Sequence, residues 1–271
     1  TEPTRFLEDP RKTVQIAGVE LDLVAATGET YDQLYVWYAK KRVLFAGDNF
    51  YKSWPNLYAI RGTPYRDVSA WIDSLTSMLA ENPEHLVGGH TRPILGQDET
   101  ITTLTNYRDA IRSIFDQTID GMNRGLTPDE LVQVVKLPEK FAELDYLREY
   151  YGNIQWSVRA IFSGYLGWFD GNPTTLFPLS NKEEAQRIAA LAGGVDVLLD
   201  QARASLGESP QWTAQLCDHL LALGHQLDEV KLLKADALEL LGGEALTATG
   251  RNYYFTVAKQ LRKSAAQPPA H

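Results

Sequence analysis

Residues 27–50 read TGETYDQLYVWYAKKRVLFAGDNF. Two runs of β-branched and aromatic residues, Leu34–Tyr38 and Val43–Ala46, flank Lys40–Lys41. That pattern predicts two strands joined by a turn. An acidic residue beside glycine stands on either side: Glu29 in Thr-Gly-Glu-Thr, and Asp48 in Gly-Asp-Asn. Upstream, Val14–Ile16 and Val19–Ala25 around Ala17–Gly18 predict another hairpin, so Glu29 follows a strand as Asp48 does. Downstream, Val68, Trp71, Ile72, Leu75 and Leu79 recur at helical spacing within 65–81. Leu86–Val87 then predicts a short buried strand ending at Gly88, Gly89 and His90. Residues 1–98 are thus a mixed α/β piece with too few helices to cover both faces of its sheet, half of a two-sheet sandwich.

From about residue 100 helical spacing replaces strand signals. Leu104, Tyr107, Ile111, Ile114 and Phe115 form one stripe. Thr127-Pro128-Asp129-Glu130 supplies an N-cap, a proline at the first helical position and an acidic first turn. Residues 181–262 predict successive helices broken at Gly193–Gly194, Gly207, Gly224 and Gly242–Gly243, loosely at the interval of tetratricopeptide-like hairpins. His219 and His225 fall on one of these helices, on different faces. The tail 264–271, SAAQPPAH, is expected to be disordered. The expected division is 1–98 and an all-helical 99–271.

The 271 residues carry 26 Lys and Arg against 35 Asp and Glu, a formal net charge of −9. Such a surface argues against nucleic acid as a partner. No 18-residue apolar run exists, so no membrane span is expected. The single cysteine, Cys217, excludes an internal disulfide framework and a cysteine-rich zinc site. The opening TEPTRFLEDPRK has neither a starting Met nor an apolar leader. It reads as a processed or truncated piece of something larger, and the compartment stays open.

Glu29, Asp48 and His90 are metal-capable side chains at successive strand ends, each beside glycine. Two carboxylates and an imidazole suit Zn²⁺ with a position left open for chemistry. Each stretch also suits an ordinary turn. Asn56 and Arg61 offer an amide donor and a planar guanidinium fork, suited to a tetrahedral oxyanion. The alternative is a salt-bridged arginine in a plain loop.

Beyond these local patterns, TGETYDQLYVWYAKKRVLFAGDNFYKSWPNLYAIRGTPYRD (27–67) followed by GGHTRP (88–93) resembles the later half of the metallo-β-lactamase domain of class III alkylsulfatases. YYGNIQWSVRAIFSGYLGWFDGNPTTLFPL (150–179), LAGG (191–194), KADALELLG (234–242) and GRNYYF (250–255) resemble that family's dimerisation domain. The resemblance implies a partial αββα sandwich followed by a helical dimerisation domain, and hydrolysis of alkyl sulfate esters, detergents among them, to alcohol and sulfate. It implies Glu29, Asp48 and His90 as ligands of a two-zinc centre, the two carboxylates thereby catalytic. Asn56 and Arg61 would hold the sulfate. Tyr165 would approach the substrate from the helical part, and Trp54, Tyr58 and residues 162–169 could flank the alkyl tail. It also implies a homodimer, and a periplasmic or secreted setting. The family's His-x-His-x-Asp-His motif is missing: the five histidines are His85, His90, His219, His225 and His271, and no pair has that spacing. A separate chain or a lost segment carrying the first half of the lactamase domain is therefore an expected partner. Other readings are a different hydrolase on the same fold, with a phosphoester or lactam substrate, and a non-catalytic assembly module.

Overall fold

The structure is a computed structural model that describes residues 6–266. It divides into two compact units, 1–171 and 172–271. The first unit contains one mixed sheet in sequential order: β1 (Arg11–Ile16), β2 (Val19–Ala25), β3 (Leu34–Tyr38), β4 (Val43–Gly47), β5 (His85–Gly88) and β6 (Ile94–Leu95). The pairs β1–β2, β2–β3, β3–β4 and β5–β6 are antiparallel, and β4–β5 is parallel. Both anticipated hairpins are present. The turn between β3 and β4 is a single 3₁₀ turn over Ala39–Lys41, closed by Arg42 in the left-handed region. The two-residue strand β6 was not anticipated, because a run this short carries no periodicity.

One cross-strand row, Trp37, Leu44, Leu86 and Ile94, is buried. It packs with Val68, Trp71, Ile72, Leu75 and Met78 of α1 (Val68–Ala80), the crossover helix between β4 and β5. Asp67 caps α1 by accepting from the Ala70 N–H at 3.0 Å. The row on the opposite face, Leu23, Val36, Phe45 and Val87, stays partly open, with Phe45 40% exposed. The sheet therefore has one packed face and one open face, as expected of half a sandwich.

Helix α2 (Gln97–Asn123) lies on α1 and buries Leu104, Tyr107, Ile111 and Ile114. It is followed by α3 (Pro128–Val134), α4 (Glu139–Ala142) and α5 (Ile154–Leu166). Thr127 and Glu130 form a reciprocal capping box at the start of α3. These helices share the core cluster of the sheet. The change from strands to helices thus falls near residue 98, at the start of α2, while the compact division falls between Gly171 and Asn172.

The second unit consists of α6 (Asn181–Ala192), α7 (Val195–Ser205), α8 (Pro210–Leu223), α9 (Leu227–Glu244) and α10 (Ala248–Ala265). Packing is local: α6 and α7 meet α8, α8 meets α9, and α9 meets α10, the nearest-neighbour stacking of a helical repeat. Gly193 and Gly224 end α6 and α8 in the left-handed conformation, as expected of helix-terminating glycines. Gly242–Gly243 does not break the chain: α9 runs through it. A Cβ on Gly242 would lie 2.7 Å from Cε1 of Phe255 on α10, so that glycine serves close packing. His225 is not on a helix with His219. It lies just past the Gly224 cap and sits 3.0 Å from the Asp196 carboxylate. Of the tail expected to be disordered, Ser264 and Ala265 complete α10, and residues 267–271 lie outside the described residues.

Cys217 is fully buried among Leu198, Leu199, Leu216, Leu220 and Val230, and burial pushes its thiol up to about 12. A folded chain at pH 8 is therefore expected to resist alkylation at Cys217 until the helical unit opens. Mass-detected labelling across a denaturant series checks this; rapid labelling without denaturant would contradict the packing.

Candidate functional site

Strands β2 and β4 both run antiparallel to β3, and β5 runs parallel to β4. The C-terminal ends of β2, β4 and β5 therefore open on one edge of the sheet, and the segments carrying Glu29, Asp48 and His90 leave from that edge. A register shift between Phe45 and Gly47 re-aims the end of β4. Gly89 packs against Asp48 so closely that a Cβ there would lie 1.9 Å from its Oδ1. Its N–H donates to the carbonyls of Gly47 (2.7 Å) and Phe50 (3.0 Å). His90 takes a left-handed backbone conformation, φ +53°.

Asp48 and His90 consequently meet: His90 Nε2 stands 3.5 Å from Asp48 Oδ1, with side chains 82% and 39% exposed respectively. They border an open cavity of about 380 Å³ with Tyr51, Lys52, Ser53, Thr91 and Tyr151. Glu29 does not line that cavity; it borders a separate, smaller one of about 110 Å³ with Arg66 and Asp67. It is buried, with Oε1 2.6 Å from the Arg66 guanidinium and Oε2 accepting from the Tyr51 hydroxyl at 3.0 Å. Burial raises its carboxyl above the usual range despite Arg66 and Tyr51, and the Asp48 charge adds to the rise. Asn49, fully buried, clasps the Glu29 segment to the end of β4: its Oδ1 accepts from the Glu29 N–H (3.1 Å), and its Nδ2 donates to the Ala26 carbonyl (2.7 Å). Gly28 permits this approach, since a Cβ there would fall 2.1 Å from Asn49 Oδ1.

Among the described residues no group of three His, Cys, Asp or Glu side chains is placed to hold a metal ion. Asp48 and His90 converge, and each Glu29 oxygen keeps a second lone pair beyond its present partner. Asp48 and His90 thus place two metal-capable side chains together, and Glu29 stands apart in its ion pair with Arg66.

Asn56 is 1% exposed, and its side-chain Nδ2 is a buried donor with no partner. Its backbone N–H donates to the Tyr51 hydroxyl at 2.7 Å, and its carbonyl accepts from Arg66. Arg61 is exposed and hydrogen-bonds Tyr151, which lines the Asp48–His90 cavity. Tyr165, on α5, is absent from that lining; its ring packs against Tyr65 and Phe115 at 6.1 and 6.0 Å. Trp54 belongs to the core, with Nε1 donating to Ser157 at 3.1 Å. Phe162 is also in the core, whereas Tyr58 lines a groove with Ile60, Trp156, Arg159, Ala160 and Ser163.

Sequence reasoning missed Asn49, Tyr51, Arg66 and Tyr151. Asn49 was visible as part of Gly-Asp-Asn, but only as a turn residue. Residues 148–157 were read as helical-domain sequence, yet they pin the loop after β4. Trp54 N–H donates to the Arg148 carbonyl (2.8 Å), Gly152 N–H to the Trp54 carbonyl (3.1 Å), and Tyr151 N–H to the Ser53 hydroxyl (2.9 Å). A Cβ on Gly152 would lie 2.0 Å from the Pro55 carbonyl. The glycine within Tyr-Tyr-Gly-Asn was the available signal for that contact.

Residues 127–264 match the alkyl sulfatase dimerisation family. The chain is 37% identical over 262 residues to a linear primary-alkylsulfatase of a Pseudomonas species, covering 96% of this chain and 49% of that protein. It is 33% identical over 266 residues to an (R)-specific secondary-alkylsulfatase of Pseudomonas, covering 96% and 40%. The solved structure of a stereoselective inverting sec-alkylsulfatase from Pseudomonas superposes with a TM-score of 0.92 at 32% identity, covering 99% of this chain and 43% of that one. The chain spans about half, or less, of the length of these relatives.

Asn49→Ala removes both clasp bonds and leaves the Glu29 N–H and Ala26 carbonyl without their partner. A destabilisation of about 2–4 kcal/mol is expected in denaturant unfolding. A loss below about 0.5 kcal/mol would show that the clasp does not hold the rim.

Proposed function

The chain belongs to the alkyl sulfatase dimerisation family, and from that premise we propose that it carries part of the catalytic centre of an alkyl sulfate ester hydrolase. Asn56 and Arg61 bind the sulfate group. The observation that carries this reading is the buried, unpartnered Asn56 Nδ2: a donor held away from water without an acceptor suits an incoming oxyanion. Arg61, exposed and tied to the cavity wall through Tyr151, adds a charged fork. Water cleaves the ester to alcohol and sulfate, and the two donors stabilise the negative charge that develops on the sulfate group. The groove beside Tyr58, Ile60 and Trp156 offers apolar surface to an alkyl tail.

Asp48 and His90, with Glu29 nearby, are this chain's share of the metal donors in the proposal. Zinc held there would place positive charge beside the ester. The histidines that complete the donor set lie, on this reading, in the portion of the relatives' length that this chain does not span. Residues 127–264 serve assembly of two copies. In support, large apolar side chains of the helical unit, Leu191 and Tyr253 among them, stand exposed.

Single-chain material verified by intact mass is expected to show no turnover of dodecyl sulfate with added zinc; turnover would overturn the partial-centre reading. Inorganic sulfate should still bind, and Arg61→Ala should weaken it about ten- to hundredfold. Unchanged sulfate binding in that variant would remove Arg61 from the reading. Sedimentation of the whole chain at micromolar concentration should give a dimer, and a monomer at every concentration would remove the assembly role.

A further inference from the structure

Glu29 and Asn56 belong to different loops, yet two bridges connect them. Tyr51, buried, is the first: its hydroxyl accepts from the Asn56 N–H at 2.7 Å and lies 3.0 Å from Glu29 Oε2. The hydroxyl has one proton, and the Asn56 N–H can only donate. The proton therefore faces the carboxylate, and the direction of both bonds is fixed. Arg66 is the second: its guanidinium forms an ion pair with Glu29 at 2.6 Å and donates to the Asn56 carbonyl. The Asn56 residue is thus held at its N–H and at its C=O by two groups that share one carboxylate. Nothing else is required of Tyr51 or Arg66 by the sulfate reading.

We propose that Tyr51 and Arg66 are positioning residues that lock the Glu29 carboxylate and the Asn56 amide into one unit, so that a change at Glu29 is felt at Asn56. The consequence for binding rests on the reading of Asn56 as a sulfate-holding group; the lock itself does not. With both ends of the residue held, its side-chain donor is pre-oriented, and less ordering is required when an anion arrives.

The test uses the whole chain, isotopically labelled for NMR, with inorganic sulfate as the probe. Glu29→Gln is expected to displace the Asn56 backbone amide resonance. In a Tyr51→Phe background, which keeps the ring and its edge contact with Tyr151, that displacement should shrink, because only the Arg66 bridge then remains. Tyr51→Phe should also weaken sulfate binding about three- to tenfold, and this loss should vanish in an Asn56→Ala background, because Tyr51 acts through Asn56. A merely structural tyrosine would give losses that add. If Tyr51→Phe does not fold, Arg66→Lys, which keeps a charge but not the fork, takes its place with the same readouts. A displacement that persists undiminished, or additive losses, overturns the lock. If the parent chain binds no sulfate, the sulfate reading fails, and the resonance measurement still decides the lock by itself.

Discussion

The buried ion pair between Glu29 and Arg66 is the contact on which the rim depends. Both side chains are less than a tenth exposed, at 2.6 Å separation. Removing two charges from water costs several kcal/mol each, and losing one partner of such a pair costs about 3–5 kcal/mol. The Tyr51 hydroxyl on the carboxylate and the Asn56 carbonyl on the guanidinium offset part of that cost, while Arg66 Nε stays buried without a partner. Arg66 directly precedes Asp67, the N-cap of α1. One electrostatic contact thereby fixes the segment after β2, the loop after β4 and the start of the crossover helix. The raised Glu29 carboxyl shows that burial still outweighs its partners.

The loop between β4 and α1 is the second constraint. Most of residues 49–59 are buried although they form no strand or helix. Buried backbone needs hydrogen-bond partners from elsewhere in the chain. Arg148, Tyr151 and Gly152 supply them, and Ser157 takes the Trp54 indole. This explains why compactness runs on to Gly171: the segment leading into α5 completes the loop that presents Asn56 and Arg61.

Strands β2 to β5 and helix α1 were legible because their alternation and helical spacing are local properties of a few residues. Placing Glu29, Asp48 and His90 on one edge was also legible, since each follows a strand and is flanked by glycine. Their mutual geometry was not. Only Asp48 and His90 come into contact, and the partner that claims Glu29, Arg66, reads in sequence as the approach to a helix cap. Tyr51 and Tyr151 were hidden for a different reason. Tyr51 stands in an aromatic run whose other members, Phe50 and Trp54, are plain core, and Tyr151 follows Tyr150 in the stretch that reads as helical domain. Gly242 misled because glycine near a helix end has two physical uses, termination and close packing. Only the position of Phe255 tells them apart.

The two residues proposed to hold the sulfate differ in how they are held, and the difference bears on what each could contribute. Asn56 is enclosed, its backbone bonded on both sides, so its position is set before any ligand arrives. Arg61 is exposed on the loop that passes through Gly62, and it reaches the cavity wall through Tyr151. A fixed neutral donor selects geometry at little entropic cost. An exposed guanidinium attracts an anion from a distance, then loses side-chain freedom when it closes on it. The chain's own net charge is −9, so its overall field does not attract an anion. On the proposed sulfate reading the attraction is local and comes from Arg61 and from Lys52 on the cavity wall.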